Sequence, residues 1–309
     1  MPPPVPCSAR LDGTFVQIAG PQLRYDPSEW RVALEPVRAL GMQTLVIQYS
    51  GDGRGSYDRF EGPAPSGTVA ALLEAADGLD LQVYLGLHDN PQWPDRFAMD
   101  LPAPLGTGGM ARLASMCAAH RSCVGWYLPQ ELEDFHAERL ADQLRLRDWL
   151  REAVALLHSF VPRLPVAISA FAAGRFGPEE YARFWAVVLA GSVLDILMFQ
   201  DGMGTGRASA ASVSAYLGEL APVARRHHVQ LWGVTELFEQ LQGTPWDTRV
   251  FRARPARFSR VRAGMNAASP FVERLIGFSV LDYMDPSLGR EAARLSRRYA
   301  ASCAATGPR

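Results

Sequence analysis

Residues 124–131 read Val124-Gly125-Trp126-Tyr127-Leu128-Pro129-Gln130-Glu131, "VGWYLPQE": five apolar residues, a proline, then an amide beside a carboxylate. A run with no polar alternation marks a strand covered on both faces, as in a parallel sheet under helices. Working outward, seven further runs have the same character: 13–19, 43–49, 81–87, 165–169, 194–199, 229–235 and 275–281. Together with 123–128 they make eight strands.

Stretches with apolar residues at helical spacing fall between and after them: 26–41, 66–80, 104–120, 135–160, 177–191, 209–228, 254–269 and 286–300. The first opens on Asp26-Pro27 and closes on Gly41, a start and a stop signal. Eight strands alternating with eight helices predict an α/β protein, a single closed (β/α)8 TIM barrel, rather than an open doubly wound sheet. No G-x-G-x-x-G follows any strand, which removes the main support for a dinucleotide fold. One domain over 1–309 is expected, with 1–12 as a poorly structured N-terminal extension.

Composition prunes the chemistry. All 31 basic residues are Arg; there is no Lys. Schiff-base aldolases, pyridoxal-phosphate enzymes and Walker A nucleotidases each need a Lys and are excluded. A net charge of −1 gives no electrostatic case for nucleic acid or a membrane surface. No apolar run is long enough to span a bilayer. Cys7 and Cys303 lie near opposite chain ends, and Cys117 and Cys123 are close in sequence, so two disulfides or four idle thiols are both compatible with the spacing. Disulfides would favour a periplasmic or secreted protein; otherwise the chain is cytoplasmic.

In a TIM barrel the active site sits at the C-terminal ends of the strands. The residues there are Gln17; Gln48 and Tyr49; His88, Asp89 and, further on, Trp93; Gln130 and Glu131; Gln200 and Asp201; Glu236; and Tyr283. This rim is rich in carboxylates, amides and aromatic rings and poor in Arg, so no phosphate cradle stands out. The first strand reads "FVQIAG", without the His-x-His of metal-dependent barrel hydrolases, and no metal or other cofactor is expected. Amides and acids suit sugar hydroxyls, and rings suit sugar faces. Glycoside hydrolysis needs two carboxyl groups flanking the bond. Glu131 and Glu236 end strands that lie across the mouth from each other. Gln17, Gln48, Tyr49, His88, Gln130, Gln200, Asp201, Tyr283 and Trp93 are the candidate substrate contacts. Asp201 is also a candidate for tuning Glu236, and Trp93 and Trp246 for stacking platforms.

The endings Gln130-Glu131 and Glu236 resemble those of clan A retaining glycoside hydrolases. These carry Asn-Glu at the end of the fourth strand and a nucleophilic Glu at the end of the seventh. Gln130 departs from that pattern by one methylene. More closely, "GTFVQI" (13–18), "LVIQYSG" (45–51), "GWYLPQELED" (125–134), "ILMFQDGMG" (196–204) and "WGVTELF" (232–238) are similar, in that order, to the domain-of-unknown-function family 4434 of bacterial TIM-barrel proteins. That resemblance implies a glycoside hydrolase with Glu131 as acid/base and Glu236 as nucleophile, by the retaining route. An open rim suits endo action on a bacterial poly- or oligosaccharide by a monomer. Two rivals stand: a saccharide-binding barrel without catalysis, and a metal-assisted hydrolase using His88, Asp89 and Asp201. Glu133 is the fallback acid. Glu133, Asp134 and Glu138 otherwise read as a solvated helix start.

Overall fold

The structure is a computed structural model that describes residues 9–52, 55–57, 67–89, 106–134, 137–161, 163–191, 193–242 and 251–303. Eight strands close into a barrel: β1 (Gly13–Val16), β2 (Thr44–Ile47), β3 (Gln82–Gly86), β4 (Cys123–Glu133), β5 (Val166–Phe171), β6 (Ile196–Gln200), β7 (Gln230–Glu236) and β8 (Arg274–Phe278). Each pairs in parallel with its neighbours in chain order, and β8 closes on β1 through Gly13↔Ile276. The covering helices are α1 (Pro27–Ala39), α2 (Thr68–Leu79), α3 (Gly106–Ala119), α4 (Leu140–Phe160), α5 (Pro178–Val188), α6 (Ala210–Arg226), α7 (Phe258–Ala268) and α8 (Arg290–Cys303), and one helical turn, Val280–Tyr283, follows the last strand. Every predicted strand and helix has its counterpart.

The alternation of side chains splits the apolar residues into two layers. Phe15, Val46, Tyr84, Tyr127, Ala167, Ile196, Met198, Trp232, Val234 and Ile276 fill the barrel lumen. The intervening strand residues, Trp126 and Leu128 among them, pack outward against the helices. The lumen is plugged by edge-on aromatic pairs: Tyr84 with Trp232 at 5.3 Å and Phe15 with Tyr127 at 5.4 Å. Any cleft must therefore lie above this layer, at the mouth.

Local signals position the elements. Asp26 caps α1 by accepting from the Glu29 amide, with Pro27 in the first turn. Within the expected extension 1–12, Ala9 and Leu11 are buried. The Leu11 amide donates to the Tyr299 hydroxyl of α8 at 2.9 Å, and Asp12 Oδ2 accepts the Leu275 amide at 2.9 Å. Residues 9–12 are thus part of the packed barrel floor. Cys117 and Cys123 form a disulfide from the end of α3 to the start of β4, with Cα atoms 5.2 Å apart. Cys303 is also disulfide-bonded; Cys7 lies outside the described residues.

β4 departs from expectation. It does not stop before Pro129 but runs on to Glu133. Leu128 pairs with Ile168 and Leu132 with Ala170, so Pro129, Gln130 and Glu131 together stand opposite Ser169 alone. A proline cannot donate to the ladder, and the chain bulges there before pairing resumes.

Candidate active site

The bulge carries Glu131 to the mouth, where it lines a cleft of about 370 Å³ together with Gln17, Phe171, Gln200, Thr205, Arg207, Glu236, Phe238, Phe251, Phe278 and Tyr283. Glu131 comes from β4 and Glu236 from β7, so both carboxylates singled out by strand position meet in one cavity. Burial raises the pKa of Glu131, against a hydrogen bond from the Gln200 side chain and the charge of Arg207. Tyr127 lies below it in the lumen, its hydroxyl bonded to Ser169 Oγ at 2.7 Å, and feels the Glu131 charge. Trp126, the neighbouring ring on β4, faces the helices instead.

Glu236 is 6% exposed. Its Oε2 accepts two backbone N–H bonds from the loop after β6, from Gly204 and, at 3.0 Å, from Thr205. Gly204 is there for space: a Cβ would stand 2.4 Å from the Phe238 carbonyl and 2.9 Å from Glu236 Oε2. Asp201, at the start of this loop, is 3% exposed. Its Oδ1 accepts from the Met203 amide at 3.0 Å and the Glu236 amide at 3.4 Å, while its Oδ2 has no partner among the described residues. Burial first, then the facing Asp201 carboxylate, pushes Glu236 up to about 8, against the two loop amides and Arg260. Burial pushes Asp201 up to about 6, against Arg260 and the two amides on Oδ1. The two carboxyls titrate as a pair that retains a proton near neutrality. Arg260 on α7 supports them from behind, donating at 2.6 Å to the carbonyls of Glu236 and Phe238.

The other predicted residues divide. Gln17 donates to Gln48 Oε1 at 2.6 Å, and Gln48 donates to the Tyr49 hydroxyl at 3.2 Å, giving a relay of amides and phenol along the β1–β2 side. Of these only Gln17 lines the cleft. Burial and the Glu131 and Asp89 charges raise the Tyr49 pKa. Gln200 and Tyr283 line the cleft; burial and the charges of Asp282 and Glu236 push Tyr283 up to about 12. Gln130 is 2% exposed and does not line the cleft; neither atom of its amide has a partner among the described residues. It is buried beside the bulge rather than on the cleft wall. His88 is 4% exposed at the end of β3, bridged through its backbone to Gly51, and also stands back from the cleft. His88, Asp89 and Asp201 do not gather as ligands: among the described residues no three His, Cys, Asp or Glu side chains could hold a metal ion. Trp93 and Trp246 lie outside the described residues.

Two expectations are revised. Glu133 and Asp134 are buried, not a solvated helix start. Asp134 clamps the loop after β5, accepting the Ala173 and Phe176 amides at 2.6 and 2.7 Å. Burial pushes Glu133 up to about 7, offset by Arg207. The rim, expected to be poor in Arg, does present Arg207. Arg207 lines the cleft from the "GMGTGR" loop (202–207) and lies 4.7 Å over the Phe171 ring. Phe238 and Phe251 were not singled out either, since they lie beyond the strand-end residues that the periodicity marks, nor was Phe278, the last residue of β8. The one signal for Arg207 was the glycine-rich loop after β6.

The family described as "Domain of unknown function (DUF4434)" matches residues 11–289. The uncharacterized protein YbcH of Escherichia coli K12 is 28% identical over 223 residues, 69% of this chain and 72% of that protein. A Bacteroides thetaiotaomicron structure provisionally named an alpha-L-fucosidase superposes with a TM-score of 0.78 at 19% identity, over 97% of this chain and 96% of that one. The Pseudomonas stutzeri endoglucanase Cel5A gives 0.57 at 12% identity over 99% of both chains. A Bacteroides thetaiotaomicron GH99 endo-alpha-mannosidase gives 0.55 at 11%, over 96% of this chain and 82% of its own. At these identities the likeness is one of fold.

Proposed function

The chain belongs to the domain-of-unknown-function family DUF4434, and from that membership and the furnishing of its barrel mouth we propose that it is a glycoside hydrolase of poly- or oligosaccharides. The observation that carries this reading is the meeting of Glu131 and Glu236 in one cleft with amide side chains and four phenylalanine rings. Two carboxyls flanking a bound sugar are the minimum for acid-assisted glycosidic cleavage. Amides for hydroxyls and rings for the apolar sugar face supply recognition. The names of the structural neighbours, an alpha-L-fucosidase, an endoglucanase and an endo-alpha-mannosidase, are consistent with that class.

Glu131 is the general acid/base. Burial favours its protonated form, and a neutral carboxyl is what a leaving-group oxygen needs. Glu236 is the nucleophile. The Gly204 and Thr205 amides fix Oε2, which leaves Oε1 to face the anomeric carbon and favours the anion during attack. Glu236 holds the higher of the pair's two values, so its anion becomes available as pH rises toward about 8, with the Asp201 charge opposing it. Glu131 protonates the departing oxygen as a covalent glycosyl ester forms on Glu236. Glu131 next takes a proton from water, which releases the sugar with retained configuration. The Cys117–Cys123 bond fits action in the periplasm or outside the cell.

A screen of the purified chain against bacterial polysaccharides, with Glu236→Ala as control, tests the proposal. Turnover lost in the control supports it. Saccharide binding without turnover in the wild type would establish the non-catalytic alternative instead.

A further inference from the structure

A second recess, of about 570 Å³, lies apart from the cleft residues. It is enclosed by α7, α8 and the strand Ala253–Pro255, which pairs with Phe238–Gln240 as a two-stranded sheet. Its walls carry five arginines, Arg254, Arg257, Arg262, Arg294 and Arg298, against two carboxylates, Glu239 and Glu291. Their placement follows from element geometry. Arg294 and Arg298 are one turn apart on α8, in a stripe that continues to Ser302. Phe258, Ser259 and Arg262 belong to the start of α7, whose N-cap, Arg257, offers no side-chain acceptor. The positive end of that helix adds to the charge.

Most of this charge is uncompensated. Glu239 is committed to Arg254 at 3.1 Å and to the Arg257 amide at 3.2 Å. Arg262 rests on the Phe258 ring at 5.8 Å. Among the described residues Arg257, Arg262, Arg294 and Arg298 have no ion-pair partner. A concave site with four guanidinium groups unpaired among the described residues, in a chain of net charge −1, is a local concentration of positive potential rather than a general property of the surface. Guanidinium forks match carboxylate and sulfate oxygens bidentately.

We propose that this recess is an anion-binding site for acidic saccharide chains, those bearing uronate or sulfate groups. The choice of a saccharide rests on the glycosidase reading and on a shared element. Phe238 lines the cleft while the next residue, Glu239, lines the recess, so the two sites share one strand. A compact hollow suits a bent, intermittently charged chain better than the flat lattice of a lipid surface.

The test is titration of the full chain with a labelled oligogalacturonate. A neutral oligoglucan of equal length, inorganic phosphate and phosphatidylglycerol vesicles are the comparison arms, each at two salt concentrations. Wild type, Arg294→Gln/Arg298→Gln and Glu236→Gln are compared. The expected result is salt-sensitive binding of oligogalacturonate that weakens at least tenfold in the double Arg variant and is unchanged in Glu236→Gln. Equal affinity in the Arg variant, loss in Glu236→Gln, or binding of vesicles or phosphate without oligogalacturonate would overturn it. Failure of the glycosidase reading is distinct: it gives absent turnover with this binding intact.

Discussion

The backbone amide of Glu236 donates to the carboxylate of Asp201 at 3.4 Å, so two buried acids on neighbouring strands are held against each other by the chain itself. Neither can relax away, and each raises the cost of ionising the other. Asp201→Asn removes that charge and leaves Glu236 with its two loop amides. The pKa of Glu236 falls, and the acid limb of kcat/KM against pH moves to lower pH. An unmoved limb would show that Asp201 does not tune Glu236.

Stability should carry the same signature. Glu236, Glu133 and Asp201 all have folded pKa values above their ordinary ones, at about 8, 7 and 6. The folded state therefore binds protons more tightly than the unfolded chain. Their contribution is complete below the ordinary carboxylate range, near 4, and is lost as pH rises through about 6 to 8. Tm is expected to fall across that window, and Glu236→Gln should flatten the decline.

Removal of the acid itself should cost rate without cost to the fold. Glu131→Gln is expected to lower kcat by a factor of about 10² to 10⁴ while circular dichroism and Tm stay near wild type. The anomer of the first product, read by proton NMR, should match that of the substrate. Inversion would reject the nucleophilic role of Glu236.

Gly204→Ala places a methyl group against the Phe238 carbonyl and Glu236. The loop must shift, at a cost of about 1–3 kcal/mol in urea denaturation. Turnover should fall with it, because the same loop supplies both N–H donors to Oε2.

The double variant Cys117→Ser/Cys123→Ser opens a short loop at the entry to β4. The entropy of that closure corresponds to about 2 kcal/mol, measurable as a lower urea midpoint. No change would mean that the helix-to-strand turn is already rigid without the bond.

The barrel was legible because it rests on repetition. Eight apolar runs at regular spacing define a closed sheet whatever their individual ends, and Glu131 and Glu236 follow from counting strands. What periodicity does not encode is what returns over the mouth. Arg207 and Phe251 come from segments beyond the strands, and their approach to Glu131 and Glu236 depends on loop geometry. Gln130 stands back from the cleft for another reason. Its neighbour relation to Glu131 was plain, but a bulged strand breaks the alternation that would have told which way it points. Asp134 was misread because a carboxylate before a helix resembles a solvated cap, whereas here it holds amides on the adjacent strand's loop.

That bulge divides the inheritance of the fold from that of the chemistry. Ser169 faces three residues of β4 where an even ladder would present one. Excision of Pro129 and Gln130 would leave Leu132 opposite Ala170 and close the barrel as before. The remaining glutamate would descend to the level of Ser169, against the Tyr127 plug. Two codons thus set whether this carboxylate stands at the mouth of the barrel or below it.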